Sequence, residues 1–140
     1  MDVEGVAKNI ADMAQQFTQY AGVRPFGVAL ILAGVDKNGS ELFLTDPSGT
    51  YIGYDAVAIG AGSDQVTEFL EKSYKVDIGL DEGAALAIES IYLVSEEKTG
   101  TRHLKMAIID NKTKTMRKIE DEEIERYASM ARDKTSKRGA

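Results

Sequence analysis

Cysteine is absent from the 140-residue chain, and histidine occurs once, at His103. The first absence removes a disulfide framework, a thiol nucleophile and a thiolate metal site. The second removes a histidine-rich metal cluster. Long hydrophobic runs are also missing. The longest, Phe26 to Val35, has about half the length that a bilayer-spanning helix needs. Positive charge is in deficit: 17 Lys and Arg against 23 Asp and Glu give a formal net charge of -6, which disfavours a general nucleic-acid-binding role. The opening residues Met1-Asp2-Val3-Glu4 are acidic, unlike the basic start of a secretory signal. The expectation is a cytoplasmic protein with neither a membrane nor a nucleic acid as partner.

What is present is ordinary globular composition, 43% hydrophobic and 29% charged, in a chain of one-domain length. The charge is unevenly spread. Residues 1 to 100 hold 16 acidic and 6 basic side chains, whereas residues 101 to 140 hold 7 acidic and 11 basic. Part of that excess lies in Arg132, Lys134, Lys137 and Arg138. The expected organisation is one domain over residues 1–131, followed by a basic, disordered tail over 132–140.

Val3, Val6, Ile10, Met13, Phe17 and Tyr20 recur at steps of three and four, which predicts a helix from Val3 to Tyr20. Gly22 suits a left-handed cap and Pro25 prevents continuation, but no cap is evident at the start. Phe26 to Val35 is apolar at alternate and intervening positions, so it reads as a strand covered on both faces. Asp36-Lys37-Asn38-Gly39 marks a hairpin turn. A strand over Glu41–Thr45, a type I turn at Asp46-Pro47-Ser48-Gly49 and a third strand over Thr50–Ile59 complete an antiparallel meander.

Gly60-Ala61-Gly62 breaks that strand, and Ser63 or Asp64 can cap a helix with Val66, Phe69, Leu70 and Tyr74 inward. A second helix, Leu80–Ser95, turns Ala84, Ala85, Ile88, Ile91, Tyr92 and Ser95 to one side. Two short strands follow, Leu104–Ile108 and Thr115–Ile119. The last helix, Glu120–Arg132, faces inward through Ile124, Tyr127, Ala128 and Ala131. The order α-βββ-αα-ββ-α indicates an α+β fold with antiparallel sheet. Five strands are few for two packed sheets, so at least one sheet is expected to have an unpaired edge.

Chemistry-bearing clusters are sparse. Gly60-Ala61-Gly62-Ser63-Asp64 precedes a helix, where backbone amides can hold an anion, yet the spacing matches neither a P-loop nor a dinucleotide fingerprint. A turn and helix cap explains it. His103 lies between Arg102 and Leu104 with no nucleophile motif near it, and reads as a surface or interface histidine. The acidic residues from Glu120 to Glu125 lack the glycine and alternating oxygens of a calcium loop and suit a helix start. No catalytic residue, metal site or cofactor site is assigned. The densest unusual stretch is Tyr20-Ala21-Gly22-Val23-Arg24-Pro25-Phe26-Gly27, either a rigid corner or a loop projecting into a channel or contact.

Three segments in fixed order carry a resemblance: Gln19-Tyr20-Ala21-Gly22-Val23-Arg24-Pro25-Phe26-Gly27-Val28, Thr45-Asp46-Pro47-Ser48-Gly49, and Ala58-Ile59-Gly60-Ala61-Gly62. Together they resemble the α subunits of the archaeal-type 20S proteasome. The likeness runs from Val3 to about Arg132. The family's front section is not represented, so the fold is expected to be incomplete at its N-terminus, from a fragment or a shortened relative. The resemblance implies a four-layer α-β-β-α sandwich of the N-terminal-nucleophile hydrolase type.

It also implies a noncatalytic subunit in a seven-membered α ring. That ring stacks on β subunits, narrows the channel for unfolded protein substrates and docks an ATP-dependent unfoldase. By the same likeness Tyr20, Ala21, Gly22, Val23 and Arg24 line the channel, and Pro25, Phe26 and Gly27 support that loop. The alternative is a catalytic β-type threonine protease or a divergent N-terminal-nucleophile amidohydrolase. Against it, β subunits usually carry Gly-Ser-Gly where this chain has Gly60-Ala61-Gly62. They also carry an Asp-x-x-Ser-Gly element where this chain has Glu96-Glu97-Lys98-Thr99-Gly100-Thr101. A separate small module binding an anion at Gly60–Asp64 is a further, weaker alternative.

Overall fold

In a computed structural model, residues 2–19, 29–46, 48–96 and 100–138 are described. The elements run α1 (Val3–Gln19), β1 (Leu30–Asp36), β2 (Gly39–Thr45), β3 (Tyr51–Gly53), α2 (Ser63–Ser73), α3 (Leu80–Val94), β4 (Ala107–Ile109), β5 (Met116–Lys118) and α4 (Asp121–Arg138). This is the mixed α+β order expected from the sequence. The chain divides into two compact units, one of residues 1–59 with 109–115, the other of 60–108 with 116–140.

In the first unit β1, β2 and β3 form an antiparallel sheet in that order. Each of its tight turns begins with an aspartate. Asp36 Oδ1 accepts from the Asn38 N–H at 2.7 Å, and Asp46 Oδ1 accepts from the Ser48 N–H at 2.7 Å. In the 109–115 segment Asp110 Oδ1 accepts from the Lys112 N–H at 2.7 Å. A short carboxylate that bonds its own backbone two residues on imitates a turn, so these reversals are encoded locally. In the first turn the positive φ (101°) falls on Gly39, not Asn38, as when a left-handed glycine follows a type I turn.

Helix α1 lies on one face of this sheet. Among its residues as far as Met13, Ala7 and Ala11 are buried and Met13 is 45% exposed; the Phe17 and Tyr20 side chains of the expected stripe lie outside the described residues. The expected stripe through Val3, Val6, Ile10 and Met13 is thus rotated. Close approach favours the small side chains: a Cβ on Gly34 would stand 2.6 Å from Val3 Cγ2. Asp2 supplies the start that the sequence reading left uncapped, its Oδ1 accepting from the Gly5 N–H at 2.8 Å.

β1 departs from the expected doubly covered strand. Leu30 and Leu32 are half-buried on the α1 side, whereas Ile31 and Ala33 are exposed. The pairing register puts Ile31, Ala33, Val35, Leu42, Leu44 and Ile52 on the face opposite α1, an apolar face on which Ile52 is 55% exposed. The third strand also stops early, at Gly53 rather than Ile59. Continuing its register would set Asp55 directly across from Glu41, a like-charge pair that weakens a ladder.

In the second unit α3 packs against both α2 and α4. The core joins Ala84, Ala85, Ile88 and Tyr92 of α3 to Ile124, Tyr127, Ala128 and Ala131 of α4, with Ile108 and Ile119. The inward residues expected for α4 are all buried. For α3 the expectation fails at Ile91, which is 46% exposed, while Leu86, Glu89 and Ser90 are buried. A helix held from two sides buries a wider arc than one stripe. Helix α4 runs on to Arg138, so residues 132–138 are helical where a disordered tail was expected. Arg132 bonds Glu125 at 2.6 Å, and Thr135 Oγ1 donates to buried Glu89 at 3.0 Å, fixing that extension.

Tyr127 is 1% exposed, and its hydroxyl donates to Asp81 Oδ1 at 3.1 Å. Burial, then that carboxylate, raises its pKa. Tyr127→Phe removes one hydrogen bond and leaves the packing. The expected loss is about 1 kcal/mol in urea denaturation. Tyr127→Ala opens a cavity and is expected to cost about 3–5 kcal/mol.

Candidate functional site

The stretch assigned to the channel, Tyr20, Ala21, Gly22, Val23 and Arg24 with supporting Pro25, Phe26 and Gly27, lies outside the described residues. The described structure gives what it is attached to. Residues 20–29 lie in sequence between the end of α1 and the start of β1. These two elements are fastened at their other ends, where Asp36 Oδ2, at the end of β1, accepts from the Val3 N–H at the start of α1 at 2.9 Å. The Val3 amide is the largest influence holding the Asp36 pKa below its ordinary value, followed by the Asn38 amide.

The glycine loop before α2 is a turn. Gly60 and Gly62 have φ of 103° and 80°. The Ser63 N–H donates to the Gly60 carbonyl at 3.1 Å, and the Val66 N–H to the Gly62 carbonyl at 3.1 Å. Gly62 itself is the N-cap, with no side-chain bond, so neither Ser63 nor Asp64 plays the expected capping part. Position 62 itself has no room for a side chain. A Cβ on Gly62 would lie 2.9 Å from Val94 Cβ, so the loop is shaped for contact with α3. Both glycines are used in turning the chain, and the amide of Ser63 is bonded within the turn.

The acidic start of α4 is engaged with arginine. Arg117 donates from Nη1 to Glu123 Oε2 at 2.7 Å and from Nη2 to Oε1 at 3.3 Å. The Arg117 hydrogen bond is the main cause of the lowered Glu123 pKa. The Arg126 guanidinium sits 4.6 Å from the Tyr127 ring centroid. Among the described residues no group of three or more His, Cys, Asp or Glu side chains is arranged to hold a metal ion. His103 is exposed on the turn before Leu104. No helix of the described residues is long and apolar enough to cross a membrane.

The sequence reading missed Asp2 and Asp36 as partners of α1, and Glu41 beside them. Asp2 was detectable as an aspartate one residue before a periodic helix. The Asp36–Val3 bond joins residues 33 apart and left no local signal.

A mixed α+β domain with an antiparallel meander and no assembled catalytic or metal cluster among its described residues is the class that this geometry defines. Comparison with known proteins narrows it. The family model described as "Proteasome subunit" matches residues 1–109. The chain is 46% identical over 124 residues to a "Proteasome subunit alpha" of Pyrobaculum aerophilum, covering 89% of this chain and 51% of the relative. It is 47% identical over 126 residues to one from Methanocaldococcus jannaschii, covering 90% of this chain and 48% of the relative. A third, from Saccharolobus solfataricus, is 50% identical over 91 residues, 65% of this chain and 38% of the relative. The chain belongs to the proteasome subunit family. The relatives carry the α designation, which favours the α reading over the catalytic β alternative. The chain spans about half the length of the curated relatives it matches.

The two glycines give a paired test. Gly60 has open space around its Cβ position, whereas Gly62 does not. Gly60→Ala carries only the left-handed backbone cost, about 1–2 kcal/mol. Gly62→Ala is expected to lose a further amount, about 1–3 kcal/mol, from crowding Val94. Val94→Ala removes the two Cγ contacts but keeps the nearest Cβ, so it is expected to restore only part of that loss, as read from denaturation midpoints.

Proposed function

We propose that the chain forms part of a noncatalytic α subunit of a 20S proteasome core. In this reading seven α subunits make the outer ring, which stacks on β subunits that carry the threonine endopeptidase activity. The ring gates and lines the channel for unfolded protein substrates and docks an ATP-dependent unfoldase in the cytoplasm. Tyr20, Ala21, Gly22, Val23 and Arg24 set the aperture, and Pro25, Phe26 and Gly27 brace the loop. No cofactor takes part. The observation carrying the reading is identity of 46% across 89% of the chain with a relative bearing the α name.

The finer fold belongs to the same proposal: residues 1–131 form one α-type domain within a four-layer α-β-β-α sandwich. The apolar sheet face with Ile31 and Ile52 exposed supports it, because a second sheet would bury that face. Ile31→Thr with Ile52→Thr is then expected to act in opposite directions. In the 140-residue chain alone it reduces aggregation measured by light scattering. In a complete subunit the same pair lowers the melting temperature. Destabilisation absent from the complete subunit would count against the sandwich.

The functional test is assembly and passage. Native mass spectrometry of the subunit with its β partner is expected to give stacked rings, with no peptidase activity from the α subunit alone. Gly22→Phe in that assembly is expected to slow degradation of an unfolded protein at least tenfold while leaving hydrolysis of a short peptide within about twofold. Equal effects on both substrates would contradict the channel role.

A further inference from the structure

Glu41 sits on β2 opposite Gly34, on the sheet face turned to α1. The first turn of α1 presses on that place, because Val3 leaves no room for a Cβ on Gly34. Glu41 Oε2 is buried there and has no hydrogen-bond partner among the described residues. The charges that act on it are all acidic. Asp36 acts from the end of β1, and Glu4 and Asp2 from the start of α1. The nearby cations, Lys37 in the turn and Lys114 in the 109–115 segment, act on Asp36.

The carboxylates are not equivalent. Asp36 accepts from the Val3 and Asn38 amides, and Asp2 accepts from the Gly5 amide. Glu41 has a buried oxygen without such a donor. We propose that proton uptake by Glu41 tightens the docking of the first turn of α1 on the β1–β2 hairpin, making this contact a pH-sensitive device. A neutral Glu41 no longer repels Asp2, Glu4 and Asp36, and the desolvation penalty on a charged oxygen disappears.

The direction of the pH dependence follows. Burial first, then Asp36, Glu4 and Asp2, raises the Glu41 pKa. A carboxyl raised in the folded state destabilises when ionised, so docking strengthens as pH falls through its folded pKa and levels off below its unfolded pKa. Asp36 is shifted the other way. Its contribution is present above its unfolded pKa and is lost as pH falls through its lower, folded pKa. Docking is therefore tightest in a mildly acidic window between the two titrations.

The test is made on the full chain, between about pH 7.5 and about pH 4.5, which brackets a raised glutamate titration. The Glu41 carboxyl is followed by carbon NMR. Amide exchange is followed at Val6, whose N–H bonds the Asp2 carbonyl at 3.2 Å, and corrected for intrinsic rates. Protection at Val6 is expected to rise severalfold as the Glu41 carboxyl titrates. In Glu41→Gln it is expected to stay at the high level throughout that range. Glu41→Met serves the same comparison if the glutamine variant does not fold. A Glu41 carboxyl that titrates in or below the ordinary glutamate range overturns the proposal. So does a wild-type pH response that survives in the neutral variants.

Discussion

One carboxylate holds the first unit in register. Asp36 ends β1, and its two oxygens accept in different directions: Oδ1 from the Asn38 amide and Oδ2 from the Val3 amide. The first bond closes a hairpin turn, a local event. The second satisfies one of the amides that a helix start leaves open, and it does so from a strand. The same side chain thus shapes the β1–β2 hairpin and fixes where α1 begins on it. The glycine and alanines follow from that anchoring. Once the first turn is held this close, Gly34 must lack a side chain, and Ala7 and Ala11 suit the buried positions along the helix. Phe43 and Thr45 are buried on the same face of the sheet, with Phe43 edge-on to Tyr51 at 5.9 Å.

The second unit is organised by a different economy of space. Helix α3 meets two helices, and its alanines face those of α4. Small residues on both sides let the backbones approach, and the larger Ile88, Ile124 and Tyr127 fill the remaining volume. Polar groups within this core are matched. Tyr127 bonds Asp81, Tyr92 bonds the Gly100 carbonyl at 2.9 Å, and Ser90 bonds the Ala87 carbonyl at 2.7 Å. A buried glutamate, Glu89, is tolerable because Thr135 reaches it from the last turns of α4. That bond also explains why α4 persists through a segment whose composition alone suggested a tail.

What could be read in advance divides by the range of the interaction. The turns at Asp36, Asp46 and Asp110 were legible, since aspartate, asparagine, proline and glycine impose local geometry. The stripe of α4 was legible because all of its inward residues enter one core. The face of α1 was not, as the Asp36–Val3 bond and the Gly34 contact rotate it away from the hydrophobic average. Ile91 was misjudged because burial on α3 depends on two neighbours. β3 ends where continued pairing would set Asp55 across from Glu41, which only the register reveals. For the channel segment, composition left a rigid corner and a projecting loop equally open. Its assignment to a role came from resemblance to a family, and its residues stand outside the described structure.

The glycine loop shows how a family motif can be read physically. Its first and third residues have positive φ, and the third also abuts Val94. Backbone shape and helix packing account for both without any ligand. A side-chain hydroxyl between them would add a chemical group, and this chain has Ala61 at that position, exposed to solvent. The loop thus turns the chain and meets α3 through backbone shape and close packing alone. That is the pattern of a scaffold: the demands on the sequence here are those of position and close approach.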